Sequence, residues 1–380
     1  MFGLIPLLLV PLVVALVLKV AFHATITVKE FALQVGAVSA VLTLAFVLGR
    51  WGALRDTEVW NGHITAKPSG SEHCCHCRRV CDTCTRTVTD SNGRSHTESY
   101  DCNCREVCDH FQDYWWALDV STGDRVTVDS CEPNRSRVPS AWTNAYIGEP
   151  AAVEHGYTNY LLADPDSVFD HRDDDADYSD VPAPPGVFGL YRINSAINLN
   201  TRMPLDEYNP QLMAVNDTLG ARKQVHIVVI ATDRTDPAWA EHVEEAWLHG
   251  KKNQIVFVLG APNGTDIEWA RAFSFSRIPR IEVATLHDMP GKRLTDTRDV
   301  LGFIEDTVET NLHRTHMSEY EYLASAAKPP TWLLVLLYII GIGGSLGLSA
   351  VFHVNDVFGE ERYGRFNSRN RRPRGGWRSV

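Results

Sequence analysis

Three runs of sequence almost free of charge dictate what this chain can become. Residues 2–22 hold a single charge, Lys19, and residues 31–48 and 331–354 hold none. A helix needs about 20 apolar residues to cross hydrocarbon, where every backbone polar group must be satisfied within the segment. The three runs fit that length. The expected fold class is an α+β membrane protein with three transmembrane helices: two in residues 1–53, joined by a short connection, and a third in residues 329–354. Most of the 380 residues lie between the second and third helices as one aqueous region. A transporter is disfavoured, because no acidic residue inside a span marks an ion or proton path.

The formal charge of −11 is a sum over compartments. Residues 1–53 carry a net +2 and residues 354–380 a net +4, which leaves −17 on the remainder. So acidic a region is repelled by anionic headgroups and by nucleic acid. The tail, residues 355–380, holds seven arginines interspersed with Tyr363, Phe366 and Trp377. It suits contact with anionic lipid or nucleic acid. Short positive flanks stay cytoplasmic, so the tail and the connection between Lys19 and Lys29 are expected inside and residues 54–330 outside. Arg50 and Arg55 run against this orientation. The first run lacks a basic n-region and a small-x-small cleavage site, and it reads as an uncleaved anchor.

In the third span Gly341, Gly343, Gly344 and Gly347 form a small-residue stripe, with Gly343 and Gly347 at GxxxG spacing. Such a stripe lets backbones approach closely. It fits helix packing on the first two spans or on another copy of the chain, and the plainer reading is that glycine is common in membrane helices.

All nine cysteines lie between Cys74 and Cys131. Cys75-His76-Cys77-Arg78-Arg79-Val80-Cys81-Asp82 is repeated 27 residues later as Cys102-Asn103-Cys104-Arg105-Glu106-Val107-Cys108-Asp109. Between the copies, β-branched residues surround Asn92-Gly93, a two-residue hairpin signal. With that turn, facing residues have numbers summing to 185, which places Cys77 opposite Cys108 and Cys81 opposite Cys104. Facing Cα atoms about 4.5–5.5 Å apart fall within disulfide reach. Cys84 and Cys102 fit only if a bulge shifts the register by one. The competing reading is zinc, because Cys81-Asp82-Thr83-Cys84 is a CxxC with His73, His76, His96 and His110 nearby. Compartment separates the two, since thiols outside the cytoplasm oxidise. Nine is odd, so Cys74 or Cys131 is left free or pairs between chains.

Residues 54–140 read as a small Cys-rich β-domain with strands at 57–65, 114–120 and 125–128. It holds too few aliphatic residues for a large core, which is why such a domain needs crosslinks. Residues 141–204 form an acidic, Pro-rich linker region, with eight aspartates in residues 163–186. These lack the glycine and terminal glutamate of a calcium loop and read as a solvated spacer.

From Pro204 the texture becomes α/β. Helices are expected at 205–219, 237–249 and 295–313, and strands at 225–231, 254–260 and 267–275. The strand at 225–231, the helix ending Ala246-Trp247-Leu248-His249-Gly250, the passage Lys251-Lys252-Asn253 into Ile255-Val256-Phe257-Val258, and Ile267-Glu268-Trp269-Ala270-Arg271-Ala272-Phe273 together resemble the TPM domain. The resemblance covers residues 205–328 and implies a small extracytoplasmic module tethered to a membrane. Some TPM proteins are associated with acid phosphatase activity and with metal held by acidic loops. That would nominate Asp233, Asp236 and Asp266, or Glu268, around a divalent cation. Phe273-Ser274-Phe275-Ser276-Arg277 departs from the family's glycine-rich turn, and Asp233 and Asp236 are equally explained as caps of the helix after Pro237.

The whole arrangement is similar to a group of membrane proteins encoded by tailed bacteriophages. The residues carrying this are the Val59-Trp60-Asn61-Gly62 strand, the Cys-rich hairpin, Lys328-Pro329-Pro330-Thr331-Trp332 at the entry to the last span, and Phe352-His353-Val354-Asn355-Asp356-Val357-Phe358-Gly359 at its end. It implies a multi-pass protein of the host inner membrane, with residues 54–330 periplasmic. The expected function is non-enzymatic display of a crosslinked ectodomain for contact with another protein, without a cofactor. The alternatives are a metal-dependent hydrolase and a structural component of the virion. No phosphate-binding glycine loop or His-Glu-x-x-His is present.

Overall fold

A computed structural model of the chain describes residues 3–21, 27–74, 76–89, 94–163, 177–275, 278–314 and 316–354. The Arg-rich tail and the first inter-helix connection lie outside the described residues. The chain divides into two compact units, one of residues 1–56, 156–170 and 315–380, the other of residues 57–155 and 171–314.

The first unit contains α1 (Leu4–Ala21), α2 (Val28–Ala53) and α8 (Thr331–Val354), each long and apolar enough to cross a membrane. Thr27 caps α2 by accepting the Glu30 N–H at 3.1 Å. The three helices share a core of Leu7, Val38, Leu42, Phe46 and Leu337. Within it Gln34 Nε2 donates to the Ser345 carbonyl at 2.6 Å, a buried polar tie between α2 and α8. Gly341 supplies the close approach. A Cβ there would stand 3.3 Å from both Leu42 Cδ1 and Val10 Cγ1. Gly343 and Gly347 face open space, so the expectation that their GxxxG pair packs on the first two spans is corrected. The helical period turns Gly341 and Ser345 inward, and Gly343 and Gly347 lie on another face.

The second unit begins with a five-stranded antiparallel sheet, made of β1 (Arg55–Ala66), β2 (Ser69–His73), β5 (Gln112–Val120), β6 (Arg125–Glu132) and β7 (Pro150–Thr158). Its order is β2-β5-β1-β7, with β6 also on β5. The expected linker region is therefore structured at its start. The helical turn α3 (Ser140–Asn144) and β7 complete the β-domain beyond residue 140. Ile64, Leu118, Val120, Ala145, Ala151 and Tyr191 form its core. Buried Tyr191 donates to Glu149 Oε2 at 3.1 Å, and burial beside that carboxylate pushes its phenol up to about 12. The two short strands β8 (Val187–Phe188) and β9 (Arg192–Ile193) pair with each other.

The α/β portion starts earlier than residue 205. Its sheet runs β10 (Ala196–Leu199), β11 (His226–Thr232), β12 (Gln254–Gly260), β13 (Trp269–Ser274), parallel except for the last pair. Every residue of β11 and β12 is buried, as a strand covered on both faces requires. Ile227, Val229 and Ala231 pack with α4 (Leu205–Lys223) and α7 (Thr297–Asn311), while Val228 and Ile230 pack with α5 (Trp239–Ala246). A helix that the sequence pattern did not signal, α6 (Pro279–Asp288), adds Ile281 to the first layer.

β1 joins the two sheets. Asn61 Nδ2 donates to the Val225 carbonyl at 2.9 Å, and Asn253 Nδ2 donates to the Val59 carbonyl at 2.6 Å. Arg314 places one guanidinium nitrogen 3.1 Å from each carboxylate oxygen of Glu58. The Val59-Trp60-Asn61-Gly62 segment is thus the seam between the β-domain and the α/β layer.

Candidate functional site

Between β2 and β5 the chain leaves the sheet as a hairpin, β3 (Cys77–Thr89) and β4 (Ser95–Cys108), which pair only with each other. None of their side chains is buried among the described residues. At about 3.3 Å per residue each strand is about 40 Å long, too exposed to be held by a core of its own. Sulfur holds it. Disulfides join Cys77 to Cys108, Cys81 to Cys104 and Cys84 to Cys102, with Cα separations of 4.0, 3.9 and 5.7 Å.

The register departs from the expected ladder. From Cys77 facing Cys108 to Val80 facing Arg105 the numbers sum to 185, but from Asp82 facing Cys102 to Thr89 facing Ser95 they sum to 184. The turn at Asn92-Gly93 lies outside the described residues. A bulge sets Asn103 and Cys104 of β4 against Cys81 of β3, with Asn103 at φ 48. Asparagine tolerates that left-handed conformation, the usual device of a bulge. The shift runs opposite to the one that would make Cys84 and Cys102 face each other. Cys84 faces Tyr100, and its disulfide reaches Cys102 diagonally.

At the neck of the hairpin both strands return to the sheet, where His73 of β2 pairs with Gln112 of β5. The outgoing chain carries Cys74 and His76, and the returning chain carries His110 and Asp113. One donor atom from each lies within 4.8 Å of the others. Cys74 is a free, buried thiol and Asp113 is wholly buried. His110 Nε2 contacts Asp113 Oδ1, and His76 Nδ1 lies 3.9 Å from the same oxygen. The His76 backbone N–H donates to Cys74 Sγ at 3.3 Å.

The CxxC proposed for zinc is placed differently. Cys81 and Cys84 are both in disulfides, and His96 pairs with Glu98 at 3.3 Å on the exposed hairpin. His73 Nε2 lies 3.8 Å from Cys77 Sγ and 3.9 Å from Cys108 Sγ, but those sulfurs are bonded to each other. Cys131 is also oxidised, which leaves Cys74 as the free thiol among the described residues. The sequence signals that mark the neck are Cys74-x-His76 and His110-x-x-Asp113, flanking the hairpin on either side. Asp113 attracts no notice until the fold brings it there.

The acids suggested by the TPM resemblance are not gathered. Asp233 and Asp236 line an open cleft past the ends of β10 and β11, with Asp180, Arg234 and His242. Arg234 pairs with Asp180 at 2.7 Å, and Asp236 Oδ1 accepts the Ala238 N–H at 2.9 Å within the turn that precedes α5, which has no side-chain cap. Asp266 is in a different turn, accepting from Asn263 Nδ2 at 2.9 Å and lying 3.5 Å from Arg293. The metal-donor groups among the described residues include none of these three aspartates.

Fold and site define a chain with three membrane-length helices and an α+β unit that carries a disulfide-braced hairpin. In comparisons with known proteins, no family model, no curated protein and no solved structure matches it.

Proposed function

We propose that this is an integral membrane protein that displays its α+β unit outside the cytoplasm and acts through protein contacts made by the crosslinked hairpin. The observation that carries the reading is the set of three disulfides on a hairpin with no buried side chain among its described residues, in a chain with three membrane-length helices. Such bonds persist in oxidising compartments and are rare where thiols are kept reduced. A two-stranded arm with both edges unpaired offers backbone donors and acceptors to a partner strand. The resemblance to membrane proteins of tailed phages supports the host inner membrane as the setting, with the basic tail on the cytoplasmic side.

Reporter fusions after residues 150 and 354 test the topology. A periplasm-dependent enzyme should be active at the first position and silent at the second. Activity in the reverse pattern would refute display outside the cytoplasm. The hydrolase alternative rests on the cleft bearing Asp233 and Asp236. It predicts cleavage of a generic phosphomonoester by the full-length protein, abolished in Asp233→Ala.

A further inference from the structure

We infer that the neck of the hairpin is a zinc site built from Cys74, His76, His110 and Asp113, and that it is filled while the three disulfides beyond it are intact. Oxidised and metal-bound cysteines then coexist in one segment, each in its own place.

The donor set selects the ion. Hard cations such as calcium and magnesium take oxygen ligands, whereas one thiolate, two imidazoles and one carboxylate match zinc, which accepts sulfur, nitrogen and oxygen in a tetrahedron. The four donor atoms lie within 4.8 Å of one another. Zinc bonds of about 2.0–2.3 Å put the corners of a tetrahedron roughly 3.3–3.7 Å apart, so side-chain rotations of about 1 Å that draw in the widest separations and part His110 from Asp113 would close the site.

Burial makes the ion the natural occupant. Asp113 is 0 % exposed and Cys74 4 %. The Asp113 carboxylate already has His110 and His76 beside it, and a thiolate formed next to it out of water calls for further positive charge. A dication supplies it, and binding displaces the thiol proton. The His76 N–H directed at Cys74 Sγ is the kind of hydrogen bond that steadies a metal-bound thiolate. The site stands whether the unit is displayed outside the membrane or not.

Topology gives the site its use. Two ligands precede β3 and two follow β4, so a single ion ties the outgoing chain to the returning chain at the point where the hairpin leaves the sheet. The Cys77–Cys108 disulfide braces the first rung of the arm. The ion would brace its root and fix the direction in which the arm projects.

The test uses the full-length protein in detergent, purified without reductant, stripped with a chelator and titrated with zinc. One zinc per chain should survive gel filtration, and zinc should slow alkylation of the Cys74 thiol in the unmutated protein. Cobalt in place of zinc should give a thiolate-to-metal charge-transfer band that Cys74→Ser removes. His110→Ala should weaken zinc at least about tenfold with the three disulfides still present by mass spectrometry. Unchanged alkylation of Cys74 in the presence of zinc, or the same zinc content in the Cys74→Ser, His110→Ala double variant, would overturn the inference. The alkylation arm needs no variant to fold.

Discussion

His226, buried at the start of β11, meets Asn61 of β1 across the seam between the two sheets: its Nδ1 lies 3.2 Å from the Asn61 side-chain amide. Its Nε2 lies 3.3 Å from Ser195 Oγ, so both ring nitrogens have neutral partners. Burial, reinforced by nearby Lys251, lowers its pKa to about 3 from 6.5. In the unfolded chain the imidazole takes a proton below about pH 6.5, while in the folded protein it resists one down to about pH 3. The unfolded state therefore binds more protons in that window. This contribution to stability is complete above pH 6.5 and declines as the pH falls toward 3.

Denaturant unfolding followed by tryptophan fluorescence between pH 4 and 7.5 should show stability falling with acid. His226→Gln should reduce the slope by up to about one proton's worth. A slope unchanged by that substitution would show that His226 titrates normally.

The same seam is sensitive to added bulk. A Cβ on Gly220, in the last turn of α4, would stand 2.7 Å from the Asn61 carbonyl oxygen and 2.8 Å from Asn61 Cβ. Backbone on both sides leaves little room to yield, so Gly220→Ala is expected to cost about 1–3 kcal/mol. Gly302, in α7, has open space where its Cβ would be. Gly302→Ala should stabilise by up to about 1 kcal/mol through helix propensity alone. Unfolding midpoints of the two variants in opposite directions are the expected result.

These relationships differ in how far sequence reveals them. β11 and β12 are apolar on both faces and flanked by polar turns, so their pattern announces buried strands. β10 is four residues long and carries almost no pattern. Its place in the sheet comes from pairing with β11, which is why the α/β portion begins before residue 205. The C-x-C-R-x-V-C-D repeat suggests facing strands, but the bulge depends on one backbone angle at Asn103, which spacing does not encode. Asn61 and Asn253 look like ordinary surface polar residues. Only the meeting of two sheets makes them buried ties. The neck site is local on each side of the hairpin, two residues at a time, and becomes a cluster only when β2 pairs with β5.

Glycine also separates two faces of α8. A Cβ at Gly341 would touch Leu42 and Val10, whereas one at Gly343 or Gly347 would have nothing within 4 Å. Gly341→Leu should destabilise the helical unit by about 1–3 kcal/mol, read as earlier thermal unfolding in detergent. Gly343→Leu should leave that unfolding unchanged. If it instead alters migration in crosslinking or sedimentation, the open face contacts a second copy.

The hairpin is the part of the molecule most dependent on covalent bonds. Among the described residues it pairs with no other strand and buries no side chain, and an isolated two-stranded ribbon is marginal in water. Its disulfides close chain separations of 18, 23 and 31 residues. In the chain-entropy account a single loop of this size is worth about 3 kcal/mol, and nested loops share part of that gain. Reduction should therefore release the arm while sparing β11 and β12, whose stability rests on buried apolar contacts. Hydrogen exchange read by mass spectrometry gives the contrast directly. Peptides covering residues 77–108 should lose protection on reduction, and those covering residues 226–232 and 254–260 should keep theirs. Retained protection in the reduced arm would mean that something other than the disulfides holds the two strands together.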